Sequence, residues 1–389
     1  MKKIFPRDFL LLVICLISSA LAGAAAGFWS SSWYADLDTK WLFEKTTTSS
    51  TLSVESTTTL ALIPVESRAV KTLALPSFAA ERLSPVGIIY KKIKNTSLEE
   101  RVLSDDMIAG QAVALSSDGW FVTTLNVLDG LKIQDIVIWK NGTTYQIEKG
   151  IADRLSGTVY LKVAGAGLAP TALAHVTGLS AGAEIWVEAR PRELVPSLVV
   201  KPGARLETNG TVSSEVASRR MILDGITRAG DMGGAVWDPN GSLVGLIDSK
   251  LGERLRIIPA SAFSGSFASL LSSGEIKHAY LGVNAMDLGA ARLEIVPGNT
   301  IVSGARLVDD KKLGKAAVLK ESPAASAKLK SGDVILRVER DILDGSADLG
   351  EVLADYRPGA SITLRVLRDS KDTDVPVVLG SIVTGEVLK

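Results

Sequence analysis

Cysteine and histidine are scarce in this chain of 389 residues, which has one cysteine and two histidines. Cys15 therefore has no partner for a disulfide within the chain. A zinc or other transition-metal site of ordinary ligand type would have to rely on carboxylates, so a metalloenzyme is not expected. The sequence accordingly predicts no cofactor and no metal site.

Net charge is also absent, because 43 basic residues balance 43 acidic ones. Without a net field to attract polyanions, nucleic acid is not an expected partner. The length exceeds the roughly 250 to 300 residues at which one core stops growing. Two folded domains and a connector are therefore expected.

The first apolar run, residues 9–28, carries no charge and as a helix is long enough to cross a hydrocarbon core of about 30 Å. Basic residues precede the run, and acidic residues come first after it. By the positive-inside rule, residues 1–29 are predicted to form a cytoplasmic tip and a single-pass anchor at the cell membrane, with the bulk of the chain extracytoplasmic. The charges concerned are Lys2, Lys3, Arg7, Asp36 and Asp38.

Two alternatives to the anchor stay open. Ala20 and Ala22 fit the small-x-small pattern of a cleaved signal peptide, which would also export the chain. The aromatic residues Trp29, Trp33, Tyr34 and Trp41 suit an interfacial aromatic belt next to an anchor. Alternatively, Trp33, Leu37 and Trp41 lie at the spacing of a short amphipathic helix packed on the protein. Whether the segment is retained as an anchor or cleaved as a signal peptide, the folded part lies outside the cytoplasm.

The next segment, residues 30–77, is predicted to be a juxtamembrane and flexible linker. Its centre, TTTSSTLSVESTTT at residues 46–59, is almost entirely serine and threonine. Such a composition cannot bury enough apolar surface to offset the entropy of ordering.

Residues 78–273 show short β-rich runs separated by turn signals and few helical patterns. GQAVALSSDGWFVTT predicts two strands joined by a Ser-Asp-Gly turn, and DIVIWKNGTTYQIEKG predicts a hairpin closed by Asn141 and Gly142. Many short strands over this length favour an antiparallel barrel or sandwich.

Four segments in order resemble landmarks of trypsin-like serine proteases of the HtrA/Deg family. They are ERLSPVGIIY, AGQAVALSSDGWFVTTLNVLDG, DRLSGTVYLKV and DGITRAGDMGGAVWDPNGSLVGLID. The resemblance implies a mainly β fold, a chymotrypsin-like double antiparallel β-barrel. It also implies where the triad should lie: the histidine position is Asn126, the aspartate position is Gly157 and the serine position is Met232.

All three triad positions are therefore substituted. Acyl transfer needs a nucleophile, a base that takes its proton and a carboxylate that orients the base. Gly233 and the glycine after it form the only Gly-Gly pair in the sequence, and no other nucleophile turn is present. Gly230, Asp231 and Gly233 are expected to form the remnant of an oxyanion loop, in which Met232 alternatively serves only as an apolar plug. His175 and His278 are interpreted as structural or surface residues.

Residues 274–389 resemble a circularly permuted bacterial PDZ domain, an α+β fold that follows the protease in this family. SPAASAKLKSGDVIL carries the resemblance, with Lys328 where glycine is usual, and residues 302–312 form an insertion. The resemblance implies that Tyr280, Leu281, Gly282 and Val283 form the loop that binds a peptide carboxylate. Alternatively, Leu281 and Val283 are plain core residues and the groove is blocked.

The favoured functional interpretation is a membrane-tethered HtrA-like pseudoprotease that binds peptides or protein C-termini. By resemblance, further candidate partners are a second copy of this chain and active HtrA homologues. A trimer is among the expected assemblies. One alternative is an active HtrA-type serine endopeptidase in envelope protein quality control. Another is a structural envelope protein whose groove is vestigial.

Overall fold

The computed structural model describes residues 84–92, 102–165, 167–174, 179–191, 193–205, 211–216, 219–225, 228–289, 303–310, 314–345 and 347–388. The expected anchor, its signal-peptide alternative, the linker and His175 lie outside these residues. Within the described ranges, no helix is both long and apolar enough to span a bilayer.

Six antiparallel strands form the first barrel. They are β1 (Val86–Lys91), β2 (Ile108–Ala114), β3 (Trp120–Thr124), β4 (Ile136–Lys140), β5 (Thr143–Asp153) and β6 (Thr158–Val163). Their order is β5-β4-β1-β2-β3-β6, and pairing of β5 with β6 closes the barrel. The predicted hairpin between β4 and β5 is confirmed, because Asn141 and Gly142 adopt the positive φ angles, 50° and 82°, that a tight hairpin turn needs.

The second barrel is also closed and six-stranded. The strands of this part of the chain are β7 (Glu184–Arg190), β8 (Glu193–Arg205), β9 (Val212–Ser213), β10 (Arg219–Asp224), β11 (Ala235–Trp237), β12 (Leu243–Leu251) and β13 (Arg254–Pro259). The barrel order is β10-β13-β12-β11-β7-β8, so β9 lies outside it. Helix α1 (Ser261–Ser273) follows and ends at Gly274, whose φ of 74° gives the left-handed cap typical of helix ends.

The remaining elements follow α1 in the chain, and all but the last belong to the PDZ domain. They are β14 (Lys277–Tyr280), β15 (Asn284–Asp287), β16 (Ala305–Leu307), α2 (Pro323–Ser326), β17 (Val334–Val338), β18 (Asp341–Ile342), α3 (Leu349–Ala354), β19 (Ser361–Arg368), β20 (Lys371–Val378), β21 (Gly380–Val383) and β22 (Gly385–Leu388). The main sheet has the order β20-β19-β17-β16-β15-β9, with β18 on β17, and β14 pairs with β21.

The expected fold class, a double β-barrel followed by an α+β PDZ domain, is confirmed. Two strands cross between these parts in ways that the sequence pattern does not indicate. β9, from the connection between barrel strands β8 and β10, joins the PDZ sheet, and β22 returns to pair with β5 of the first barrel. Both barrels and the PDZ domain belong to one compact unit, Thr72–Lys389.

Candidate functional site

The structure brings the sequence positions Asn126 and Gly157 together. Asn126 lies in a 3₁₀ turn, Leu125–Leu128, immediately after β3. Gly157 lies in the turn between β5 and β6, and its carbonyl accepts a hydrogen bond of 2.9 Å from the N–H of Leu125. Because β3 pairs with β6, the two turns come from adjacent strands of the first barrel.

Met232 reaches the same region from the second barrel. Its carbonyl accepts a hydrogen bond of 2.7 Å from the N–H of Gln111 on β2. A Cβ atom at Gly110 would lie 2.7 Å from Val127 Cγ1 and 2.8 Å from the carbonyl oxygen of Met232, so the Asn126 turn and the Met232 loop meet over this glycine. The half-buried Met232 side chain contacts the cores of both barrels.

Asn126 is engaged in a polar contact across the two barrels. Its Nδ2 donates to Oδ1 of Asp248 on β12 at 2.8 Å. Burial raises the pKa of the Asp248 carboxyl, against the lowering effect of the Arg220 and Arg256 charges and the Asn126 hydrogen bond. A carboxamide cannot accept and return a proton near neutral pH, so this arrangement supports packing rather than general base chemistry.

Gly157 leaves no room for an orienting carboxylate without adjustment. Its φ is +83°, a region that side-chain-bearing residues rarely adopt. A Cβ atom there would lie 3.2 Å from Nη2 of Arg220, which donates to the carbonyl of Ser156 at 3.1 Å. The guanidinium of Arg220 therefore occupies space next to Gly157, the position at which the resemblance places the aspartate.

The expected oxyanion remnant turns its N–H groups into the protein. The N–H of Gly233 donates to the carbonyl of Ile247 at 2.7 Å, and the N–H of Asp231 donates to the carbonyl of Arg228 at 3.2 Å. The Gly230 carbonyl accepts from Nε2 of Gln111 at 3.3 Å. In this conformation neither the Gly233 nor the Asp231 amide is available to a ligand.

The Asp231 side chain stabilises this loop from inside. One carboxylate oxygen accepts a hydrogen bond of 2.6 Å from the N–H of Arg228, which holds the 3₁₀ turn Ala229–Asp231 closed. The other oxygen, Oδ1, is buried and has no hydrogen-bond partner among the described residues. Burial accordingly raises the pKa of Asp231.

His278 belongs to a buried cluster that the sequence did not indicate. Its Nε2 lies 2.9 Å from Oδ2 of Asp153, an oxygen that also accepts from Ser156 Oγ at 2.8 Å. Thr384 Oγ1 donates to the other oxygen at 3.1 Å. The carboxylate stands between the hydroxyl and the imidazole, so the histidine cannot take the serine proton as in a nucleophilic triad.

This cluster joins the first barrel to the PDZ domain. Asp153 ends β5, whereas His278 lies on β14 and Thr384 lies between β21 and β22. Burial alone would raise the pKa of Asp153, but the hydrogen bonds from His278, Ser156 and Thr384 hold it below its ordinary value. The role of His278 is therefore structural in this conformation.

The PDZ loop at residues 280–283 has the shape that binding a carboxylate needs. Leu281 and Val283 are fully buried in the PDZ core, as the core interpretation expected. Gly282 has a φ of +80°, and a Cβ atom there would lie 2.4 Å from Cβ of Ser322. Because the loop turns in this way, successive backbone N–H groups point to one side.

These N–H groups hold a carboxylate of the chain itself. Oε1 of Glu215 accepts from the N–H of Gly282 at 2.9 Å and from that of Leu281 at 3.3 Å. Burial, followed by the nearby charge of Glu215, raises the pKa of the Tyr280 phenol. Sequence reasoning missed Glu215, because it lies far from the loop in the chain and in no recognisable motif.

Among the residues that the structure describes, no group of three or more His, Cys, Asp or Glu side chains is arranged to hold a metal ion. The candidate sites are thus the interbarrel region around Met232 and the PDZ loop.

Comparison with known proteins supports this architecture. The PDZ domain family matches residues 287–379. Over 317 residues the chain is 26% identical to a probable periplasmic serine endoprotease, DegP-like, of Bartonella henselae, covering 77% of this chain and 58% of that protein. A DegP-like protein of Halomonas elongata is 24% identical over 277 residues, covering 70% and 56%. The chain thus spans a little over half the length of these curated relatives.

Solved structures agree at the level of the fold. The HtrA-type protease AlgW with a decapeptide has a TM-score of 0.53 at 18% identity, covering 80% of this chain and 99% of that one. AlgW with a tripeptide has a TM-score of 0.53 at 22% identity, covering 78% and 96%. The chain therefore has the HtrA/DegP-like architecture, a trypsin-type double barrel followed by a PDZ domain.

Proposed function

We propose that this chain is a membrane-tethered, extracytoplasmic pseudoprotease that binds peptides or protein C-termini through its PDZ domain and acts as a scaffold or regulator. The observation that carries the proposal is the chemistry at the three former triad positions: a carboxamide at Asn126, no side chain at Gly157 and a thioether at Met232. None of these groups can move a proton or attack a carbonyl at neutral pH. Loss of such a unit costs about a million-fold in turnover.

The packing of Met232 supports the same proposal. A side chain that contacts both barrel cores contributes to their association, which is the role of an apolar plug. The internal hydrogen bonds of the Gly233 and Asp231 amides further reduce the capacity of the loop to stabilise an oxyanion.

Recognition of peptides is supported by the PDZ domain and its loop. A PDZ groove takes an extended peptide as an added strand and holds the terminal carboxylate with backbone N–H groups. The N–H groups of Leu281 and Gly282 hold a carboxylate oxygen in this structure. The same site chemistry suits a protein C-terminus.

The test of the catalytic part is incubation of the purified chain with unfolded casein and, separately, with a fluorophosphonate probe, beside a Met232→Ala variant. We expect no cleavage and no labelled hydroxyl in either protein. Labelling of the chain, or cleavage that is lost in Met232→Ala, would overturn the proposal.

An active serine endopeptidase in envelope protein quality control is the second candidate. It is favoured by the similar curated proteins, which are named serine endoproteases. It would require a nucleophile other than the thioether of Met232, and the labelling experiment would identify that residue directly.

The proposal extends to location and assembly. Residues 9–28 would anchor the chain, and itself or active HtrA homologues would be its assembly partners, for example in a trimer. Partner proteins are pulled down from membranes with the full chain and with a chain truncated before the PDZ domain. Comparison of the two pull-downs identifies the partners that depend on that domain.

A further inference from the structure

The connection between β8 and β10 carries a segment, residues 211–216, that lies on the PDZ domain rather than on its own barrel. Within it, β9 pairs antiparallel with β15: Val212 faces Ala285 and Ser213 faces Asn284. The N–H of Ser214 donates to the carbonyl of Val283 at 2.9 Å and extends the pairing. The segment is therefore an added strand on the PDZ sheet.

The segment ends at the carboxylate-binding loop. Two N–H groups, from Leu281 and Gly282, donate to Oε1 of Glu215. Ser214 Oγ donates to the same oxygen at 2.5 Å, and Ser213 Oγ donates to Oε2. These four hydrogen bonds compensate the Glu215 carboxylate for the loss of contact with water.

The direction of the segment is that of a peptide bound in a PDZ groove. As the chain runs from Val212 to Glu215, its partner runs from Ala285 back to Gly282, so the carboxylate arrives at the loop last. In the usual mode that carboxylate is the terminus of the ligand. Here the side chain of Glu215 supplies it, and the main chain continues.

The second wall of the groove is helix α3. The segment, β15 and α3 line a small pocket of about 20 Å³ between them, with Val212, Val216, Ala285 and Leu349 among its lining residues. A space of this size holds about one water molecule. A peptide from outside therefore cannot enter unless the segment leaves.

A further contact fastens the same connection to the helix. Arg219, at the start of β10, donates through Nη2 to the carbonyl of Gly345 at 3.0 Å. Its Nη1 lies 3.5 Å from Oε2 of Glu351 on α3. The guanidinium is largely buried, with 11% of its side chain exposed, so the contact is shielded from solvent screening.

We propose that residues 211–216 are the resident ligand of the PDZ groove, and that the groove accepts an internal acidic side chain in the place of a terminal carboxylate. This inference rests on the proposed peptide recognition by the PDZ domain. It names the ligand class, extended segments with a carboxylate at the position of Glu215, and it makes displacement of the resident segment a condition for binding any other peptide.

The experiment compares the full chain with its Glu215→Gln and Glu215→Ala variants and with Glu253→Gln, an exposed glutamate of the β12–β13 turn, as the matched control. The first measurement is hydrogen exchange at the amides of Leu281 and Gly282. We expect exchange to rise roughly tenfold or more in both Glu215 variants, because the charged acceptor of these amides is lost, and to stay unchanged in Glu253→Gln.

The second measurement is the affinity for a peptide of residues 210–217 blocked at both ends, and for the same peptide with glutamine in place of glutamate. The acidic peptide should bind Glu215→Ala at least about tenfold more tightly than it binds the wild type, since the groove is no longer occupied. The glutamine peptide should bind more weakly to every variant.

The outcomes separate the two proposals. Unchanged exchange in both Glu215 variants, or equal affinity for the acidic and glutamine peptides, would overturn the resident-ligand inference. Raised exchange in the Glu215 variants supports the resident-ligand inference. If, with raised exchange, no peptide with a free C-terminal carboxylate binds Glu215→Ala, the inference stands and the proposed recognition of protein C-termini fails.

Discussion

At the scale of single residues, Gly233 accounts for the tight packing of the turn that carries Met232. Its φ is +79°, and a Cβ atom would lie 2.1 Å from the carbonyl oxygen of Gln111 and 2.5 Å from Oγ1 of Thr123. The backbone of the turn is thus packed directly against β2 and β3. Steric requirements of the interbarrel packing suffice to retain this glycine, whatever stands at Met232.

Substitution of Gly233 tests this packing. We expect Gly233→Ala to lower the free energy of unfolding by more than about 3 kcal/mol, because the backbone carbonyl cannot move aside without displacing β2. The matched control is Gly252→Ala, at a φ of +63° with open space around the Cβ position. It should cost only about 1 kcal/mol. Urea unfolding measures both, and equal losses would contradict the close packing.

At the scale of elements, local signals decide most of the PDZ domain. Helix α3 begins with a capping box, in which Asp348 accepts from the N–H of Glu351 and Glu351 accepts from the N–H of Asp348. Helix α2 begins at Pro323 with Ser322 as its cap. Lys328, which departs from the glycine of the family pattern, adopts a φ of +61° after α2, in the region that glycine adopts without a steric cost.

Lys328→Gly should therefore stabilise the protein by about 1 kcal/mol, because glycine adopts positive φ without a steric cost. Lys330→Gly is the matched control, since Lys330 is also exposed and is not among the described residues with positive φ. There we expect a loss of about 0.5 kcal/mol from the added freedom of the unfolded chain. Thermal unfolding distinguishes the expected gain in stability from the expected loss. A loss of stability in both variants would contradict the prediction.

Glu351 on α3 gives a pH dependence. Burial, followed by the charge of Asp348, raises its pKa to about 7, although Arg219 acts in the opposite direction. The folded chain then binds the proton more tightly than the unfolded chain, so the free energy of unfolding falls as the pH rises from about 4.5 to about 7. The contribution is roughly 3 kcal/mol.

Glu351→Gln should remove this fall while keeping the capping box, since glutamine serves at the same position. Unfolding by urea at pH 5 and pH 8 measures the difference between wild type and variant, with Glu253→Gln as the exposed control. A wild type and a Glu351→Gln variant with the same pH slope would contradict the raised pKa.

At the scale of the whole molecule, a strand pairing and a buried carboxylate connect the first barrel to the PDZ domain. β22 pairs with β5, and directly beside it Asp153 binds His278 and Thr384. Asp153 is completely buried and 12% of the His278 side chain is exposed, so the pair is protected from solvent. The strand pairing and the Asp153 carboxylate thus together hold the PDZ domain against the first barrel.

Asp153→Asn should lower the free energy of unfolding by roughly 3 kcal/mol near neutral pH, because it removes the buried charge and replaces one acceptor oxygen with an NH2 donor that faces other donors. Asp129→Asn, at an exposed position after the turn Leu125–Leu128, is the control and should have little effect. The pKa of Asp153 is lowered in the fold, so its stabilisation is present above the ordinary carboxyl pKa and is lost as the pH falls through the folded value. The difference between wild type and Asp153→Asn should thus shrink in strong acid.

The sequence predicted those parts of the fold that short-range preferences control. The hairpin at Asn141 and Gly142 follows from turn chemistry that acts over a few residues. The contact of Glu215 with Gly282 spans 67 positions and that of Asp153 with His278 spans 125. No local pattern encodes such pairs, because they depend on how complete domains pack.

The sequence by itself indicated the double barrel and the PDZ domain, through turn patterns and resemblance. It also determined that Asn126, Gly157 and Met232 offer no proton acceptor or nucleophile, since side-chain chemistry does not depend on folding. Only the tertiary structure decided which carboxylate reaches the N–H groups of Leu281 and Gly282. The reason is that a loop of the second barrel can become a strand of another sheet only when both folded surfaces are in place.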